Sequence, residues 1–109
     1  MTILNSRERE FENRFAYDEE IKFKVAARRN RLVGLWAAKE LGLEGRAADA
    51  YAHEMVELLF HPGGSGHIVE RLASDLEAAG KSSGAERIQH ELDQCEKEAK
   101  RQLMGAASA

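Results

Sequence analysis

Four histidines and one cysteine are the side chains in this sequence best suited to hold a transition metal or to act as a nucleophile. The histidines are His53, His61, His67 and His90, and no two of them have the H-x₃-H spacing that puts two ligands on one helix face. Because a transition-metal site needs three or four convergent ligands, we expect surface or loop histidines. Cys95 lies on the apolar side of a predicted helix, which indicates a buried structural thiol. The sequence therefore predicts no metal, no cofactor and no catalytic residue.

Three further charged or glycine-rich stretches invite a chemical interpretation. Residues 63–66, Gly-Gly-Ser-Gly, precede a predicted helix, but they lack the Lys-Ser/Thr pair of a phosphate-binding loop, so we predict a flexible turn. The basic run at residues 28–31 has no interleaved aromatic residues and favours a solvated helix face over a nucleic-acid site. Glu19 and Glu20 are adjacent, so they point in different directions and form no acid–base pair.

Length, composition and charge exclude several classes of protein. The chain has 109 residues, 43% hydrophobic and 32% charged, with a net charge of −3, which suits one soluble domain and argues against general nucleic-acid binding. Its start, MTILNSRERE, lacks the apolar run of a signal peptide, and no stretch approaches the roughly 18–20 apolar residues of a membrane span. A single cysteine fits a reducing cytoplasm. We expect a cytoplasmic protein that is not an enzyme and that can dock on a membrane-bound complex.

The elements that would carry these residues are all helical. Glycine clusters near 42–45 and 80–84 and the turn at 61–66 divide the chain into segments with a helical apolar period. The first segment runs from about Asn5, a candidate N-cap with Glu8, to Leu41, where Gly42 and Leu43 suggest a Schellman ending. Short connections favour an all-α fold, a small antiparallel four-helix bundle with helices at about 17–41, 46–60, 66–79 and 83–104. Residues 105–109 should fray.

The apolar stripes predict the core of this bundle. We place Trp36 at its centre, in the run VGLWAAKEL. The full set of expected core residues is Ile21, Val25, Leu32, Leu35, Trp36, Tyr51, Met55, Leu72, Leu76, Ile88, Leu92 and Cys95.

The first segment carries two apolar stripes rather than one. At about 100° per residue, Leu4, Phe11 and Phe15 fall within roughly 40° of one another. The bundle-facing stripe is rotated from them by roughly 80°, and it consists of Tyr17, Ile21, Val25, Leu32, Leu35 and Trp36. The change of direction falls between residues 16 and 19, so the early stripe does not continue into the core.

An energy estimate bears on whether residues 1–16 fold by themselves. Ordering each residue costs about 1–2 kcal/mol of backbone entropy, whereas burying Leu4, Phe11 and Phe15 returns roughly 1.5–3 kcal/mol apiece. A lone helix of this length is marginal in water. We therefore predict a mobile N-terminal arm that becomes helical on a partner. From these residues alone the partner is open. The alternatives are a helical bundle that senses a small ligand or a nucleotide, with the arm as an accessory, or a general helical adaptor.

The same residues resemble the zeta-subunit family of alphaproteobacterial F-type ATP synthases, the ATPase inhibitor subunit. The resemblance is dense from Arg7 to Val56 and looser, but in register, through Leu103. The residues that carry it are Arg7-Glu8, Phe15-Ala16, Asp18-Glu19-Glu20, Phe23-Lys24, Ala27-Arg28-Arg29-Asn30, Gly34-Leu35-Trp36-Ala37-Ala38 and Ala47-Ala48-Asp49-Ala50-Tyr51-Ala52.

The resemblance implies an inhibitor of ATP hydrolysis that is monomeric when free and sits at the cytoplasmic face of the inner membrane when bound. Its arm would fold into a helix inside the catalytic head, between catalytic subunits and against the central rotor, and block rotation in the hydrolytic direction. The apolar anchors would be Phe11 and Phe15, with Leu4, which stands where relatives have Phe. The polar walls of the cleft would meet Arg7, Arg9, Glu10, Glu12 and Arg14. The turn HPGGSGH also departs from the family, in which it is often acidic.

Overall fold

The computed structural model describes residues 3–81 and 84–108, with side chains for 9–15, 17–63, 66–81 and 84–105. These residues contain helices and no strand, which confirms the all-α class. The helices are α1 (Ile3–Tyr17), α2 (Glu19–Glu40), α3 (Gly45–Glu57, followed by a 3₁₀ turn at Leu58–Phe60), α4 (Gly64–Ala78) and α5 (Ala85–Ser108). The side chains of Asn5 and Glu8, the expected capping pair, lie outside the described side chains.

The long first segment is not one continuous helix, because it breaks at Asp18. This residue has φ −107° and ψ 107°, and its carboxylate accepts hydrogen bonds from the backbone N–H groups of Glu20 at 2.9 Å and Ile21 at 3.3 Å. Asp18 is thus the N-cap of α2, and the acidic residues after it suit the positive end of the helix dipole. The break lies where the two apolar stripes change direction.

The far end of α2 has the expected Schellman ending. The N–H of Gly42 donates to the carbonyl of Lys39 at 3.1 Å, and that of Leu43 donates to Ala38 at 2.8 Å. Gly42 has φ +79°, a conformation that a residue with a Cβ rarely adopts. At the other end of the chain, α5 continues to Ser108, beyond the expected end near residue 104. Alanine is the best helix former, which explains how the last residues extend it.

The main core lies among α2, α3, α4 and α5. Six of the residues expected there are buried: Tyr51, Met55, Leu72, Leu76, Ile88 and Leu92. Small side chains supply much of the rest, since Val33, Ala37 and Ala38 on α2 are fully buried. Cys95 is partly buried at the edge of this core, and Leu35 is also partly buried.

Trp36 is not the centre of the core, contrary to the sequence interpretation. It is partly buried, and the Arg87 guanidinium carbon lies 5.6 Å from the centre of its ring. The reason is the close approach of α2 and α3, in which a Cβ on Gly34 would lie 2.8 Å from the Cα of Ala52. Helices this close leave room for alanine and glycine but not for an indole between them.

A second, smaller core joins α1 to α2 and α5. Its buried residues are Phe11, Val25 and Ala99. Packed around them and partly buried are Phe15, Ile21, Leu32, Leu103 and Met104. The early stripe therefore does have a place on the chain's own bundle, which the sequence interpretation did not foresee. Tyr17, expected to face the bundle, is 89% exposed because the break at Asp18 turns α1 away from the line of α2.

Candidate partner-binding helix

Helix α1 presents a narrow apolar edge and a broad charged surface. Phe11 is 7% exposed and Phe15 is partly buried, whereas the intervening side chains point to solvent. The exposed residues of α1 are Arg9, Glu10, Glu12, Asn13, Arg14 and Tyr17. The side chains of Leu4 and Arg7, two further expected arm residues, lie outside the described side chains.

The packing of α1 against α5 is open along one side. A cleft of about 380 Å³ separates the two helices and is lined by Phe11, Glu12, Lys97, Lys100, Arg101 and Met104. The Nζ of Lys100 lies 4.5 Å from the centre of the Phe15 ring, which is a cation–π contact. Among the described side chains, two aromatic rings and one lysine thus contribute to the α1 attachment, and no described ion pair links α1 to the bundle.

The basic run at residues 28–31 is more structural than a solvated face would be. Arg28 donates to the amide oxygen of Gln102 at 3.0 Å, and Arg29 pairs with Glu96 at 3.3 Å with 18% of its side chain exposed. Asn30 is fully buried and donates to the carbonyl of Met55 at 3.0 Å. The run ties α2 to both α3 and α5, and of its arginines Arg31 makes no described hydrogen bond or ion pair.

A polar network that the sequence interpretation missed joins α3 to α4. The Tyr51 hydroxyl donates to Asp75 at 2.7 Å, and Arg71 donates to Asp75 at 2.8 Å and to Glu54 at 2.6 Å. Burial, followed by the bond to the Asp75 carboxylate, raises the pKa of Tyr51 far above its usual range. The network links side chains of α3 to side chains of α4, so it is a structural tie between the two helices.

The candidate metal ligands do not converge in the described part of the chain. His53 contacts Glu57 at 2.8 Å and His67 lies 3.8 Å from Glu70, and both are mostly exposed. No group of three or more His, Cys, Asp or Glu among the described residues is arranged to hold a metal ion. Desolvation, with a smaller contribution from the Glu91 carboxylate, raises the pKa of Cys95 to about 11, so its thiol is a poor nucleophile.

None of the described helices combines the length and the apolar character needed to cross a membrane. Helix α1, with its aromatic edge and charged flank, is the candidate element for recognising another molecule.

Comparison with known families decides which kind of protein this is. A family model described as ATPase inhibitor subunit zeta matches residues 1–102, from before α1 to within the last turns of α5. The chain belongs to the ATPase inhibitor subunit zeta family. This confirms the resemblance seen in the sequence, and the match spans α1 and the bundle together. Searches among curated proteins and solved structures give no significant match. The family description makes this zeta-family chain an ATPase inhibitor subunit, which is a regulatory component.

Proposed function

We propose that this zeta-family protein inhibits ATP hydrolysis by the F-type ATP synthase by placing α1 inside the catalytic head. There α1 contacts the catalytic subunits and the central rotor, and it blocks rotation in the hydrolytic direction. The observation that carries the proposal is the attachment of α1: two aromatic rings on one edge, a charged remainder, and a one-residue break at Asp18. A helix attached in this way can leave the bundle and bind at a site on another protein.

The interactions that hold α1 on the bundle are weak enough for α1 to be released. Burial of Phe11 contributes about 1.5–3 kcal/mol, and the contact of Lys100 with Phe15 contributes about 0.5–1 kcal/mol. Against this stands the marginal stability of a lone helix of this length. A difference of a few kcal/mol keeps a released conformation at about 0.1–10% of the population, enough to be captured by a partner. The arm, residues 1–16, is thus mobile in this minor state and refolds in the head.

The side chains suit a cleft between subunits. Phe11 and Phe15 are the apolar anchors, while the exposed surface carries charges of both signs, from Arg9, Glu10, Glu12 and Arg14. Mixed charges of this kind give orientation and specificity more than affinity. Folding on binding lets a thin segment enter a gap that a folded bundle cannot enter, at a cost in affinity. The bundle then stays outside and limits how far α1 enters.

The decisive experiment measures ATP hydrolysis by the purified catalytic head of the same organism in the presence of this protein. The wild-type chain should inhibit, and the double variant Phe11→Ala/Phe15→Ala should inhibit at least about tenfold less, since each anchor is a buried aromatic. Circular dichroism of the double variant is the control, because a retained helix content shows that the lost inhibition is not a loss of the fold.

Deletion of residues 1–16 should abolish inhibition while circular dichroism shows that the bundle stays helical. Undiminished inhibition by the truncated chain would refute the proposed role of α1.

A further inference from the structure

Two exposed phenylalanines lie together on the bundle, away from α1. Phe23 on α2 is 45% exposed and Phe60 in the 3₁₀ turn is 65% exposed. Their ring centres are 5.6 Å apart with planes inclined by 58°, a favourable aromatic geometry. They shield each other but belong to neither core. Exposed aromatic rings that pair at the surface offer a ready apolar contact to another molecule.

A groove continues from Phe23 along α2. Its volume is about 590 Å³, and its lining residues are Phe23, Lys24, Ala27, Arg28, Arg31, His53, Val56 and Leu103. The positions on α2 repeat every three or four residues, so they form one face of the helix. From Phe23 to Arg31 this face is about 12 Å long, the length of roughly two turns of helix.

The charged residues that line the groove are all basic. Lys24 is paired with Glu20 at 3.2 Å, so a carboxylate at the rim neutralises part of this charge, and the His53 ring contacts Glu57 at 2.8 Å. Arg28 bonds to the neutral amide of Gln102, and Arg31 makes no ion pair among the described side chains. Among the described side chains, two guanidinium groups beside an apolar floor therefore have no carboxylate partner.

The groove also lies close to the point where α1 leaves the bundle. Phe23 follows the break at Asp18 by five residues, about 7–8 Å along the axis of α2. Any protein that receives α1 has its surface near this end of α2. The groove thus begins close to the base of α1, the helix proposed to enter the catalytic head.

We propose that this basic, aromatic groove is a second docking surface, and that it binds an acidic, amphipathic segment on the outer surface of the ATP synthase catalytic head. An apolar side chain of that segment rests on Phe23 and Phe60, and its carboxylates reach Arg28 and Arg31. This inference rests on the proposed function, because it takes the partner from there. Two contacts on one chain raise the effective concentration of α1 at its cleft and hold the bundle at the entrance.

The test uses the full-length chain with Arg31→Glu and, separately, Phe23→Ala/Phe60→Ala. Each should raise the half-inhibitory concentration at least about threefold, because truncated anchors and reversed charges weaken a contact without removing α1. Arg46→Glu is the control for the same charge change, since Arg46 is exposed at the opposite end of α3. The wild-type affinity should fall with rising salt, and Arg31→Glu should make that dependence shallower.

A second measurement separates the groove from α1. The Phe11→Ala/Phe15→Ala variant should retain weak, salt-sensitive binding to the immobilised head, and adding Arg31→Glu should remove it. If the wild-type chain inhibits but Arg31→Glu behaves like Arg46→Glu in both assays, the groove is not a docking surface. If Arg31→Glu instead changes the sedimentation of the free chain, the groove holds a second copy and the inference is overturned. Failure of the wild-type chain to inhibit refutes the proposed function itself, whatever the groove binds.

Discussion

The ammonium group of Lys100 lies 4.5 Å from the centre of the Phe15 ring, and so joins the end of α5 to α1. One helical turn away, Phe11 is buried against Ala99 and Val25. The two aromatic residues proposed to anchor α1 in the ATP synthase therefore make contacts with the bundle in the free chain. Under the proposed function, this site on α5 competes with the catalytic head for α1, and its strength lowers the apparent affinity of the inhibitor.

Weakening this internal contact should strengthen inhibition. In the double variant Lys100→Ala/Met104→Ala, α1 loses its cation–π contact and part of the wall around Phe11, whereas its own sequence is unchanged. The released fraction rises, so the half-inhibitory concentration should fall by about three- to tenfold. ATP hydrolysis by the catalytic head measures the effect.

Gln94→Ala is the control for this variant, since Gln94 is exposed on the same helix and away from α1. Weaker inhibition by the double variant would show that α5 assists binding and does not compete with it.

Asp18 should be important for stability through its side chain, which caps α2. Asp18→Ala removes the side chain that accepts from the N–H groups of Glu20 and Ile21, and should lower the free energy of unfolding by about 1 kcal/mol. Asp18→Asn keeps a capping oxygen and should lower the free energy of unfolding by only a few tenths of a kcal/mol. Urea denaturation compares the two. Equal losses in both variants would mean that the charge of Asp18, and not its hydrogen bonds, stabilises α2.

Gly34 should be the glycine least tolerant of substitution on a helix. A Cβ there would lie 2.8 Å from the Cα of Ala52 and 3.0 Å from the Cγ of Met55, so Gly34→Ala must push α2 and α3 apart. We expect a loss of about 1–3 kcal/mol, offset in part by the better helix propensity of alanine, about 1 kcal/mol.

Gly105→Ala is the matched substitution, because nothing described lies within 4 Å of its Cβ. It should be neutral or slightly stabilising in the same denaturation experiment. A thermal midpoint for Gly34→Ala at or above the wild-type value would contradict the close helix approach.

The Cys95 thiol should react slowly. Burial, with a smaller effect of Glu91, raises its pKa from 9.0 to about 11, so the thiolate fraction at pH 8 is about a hundredfold below that of an ordinary cysteine. Alkylation by iodoacetamide at pH 8 should be slower by a similar factor than in urea, where the same thiol is exposed. Equal rates in buffer and urea would contradict this.

The same shift has a consequence for stability at high pH. The folded chain holds the Cys95 proton more tightly than the unfolded chain, so this contribution to stability is complete below about pH 9. It is lost as the pH rises towards 11. The free energy of unfolding of Cys95→Ala should fall less steeply than that of the wild-type chain across this interval.

Local sequence patterns were sufficient to predict the helices and several of the residues at which they end. Glycine and proline mark the turns, the apolar period of each segment is helical, and Gly42 ends α2 as its position indicates. The cap at Asp18 was also legible, since an aspartate followed by two glutamates is a common helix start. The apolar period does not reveal this break, because the segment on either side of Asp18 is equally helical.

The packing of α1 on the bundle could not be predicted from local sequence patterns. Its aromatic edge is visible in the sequence, but its partner on the bundle is formed by Val25 and Ala99, which are far apart in the chain. Likewise, Trp36 appeared central because it is the largest apolar residue, whereas close packing at Gly34 and Ala52 moved it to the edge. The pair of Phe23 with Phe60 needs the end of α3 beside the start of α2.

By itself the sequence determined that this protein is helical, where its helices turn, and that its first fifteen or so residues carry an apolar stripe of their own. These properties depend on neighbours three or four residues apart, which any helix brings together. Only the tertiary structure decided that this stripe packs against α5, and that two arginines and two phenylalanines lie along one groove. Such contacts depend on the distances between packed helices, and those distances are set by small side chains far away in the chain.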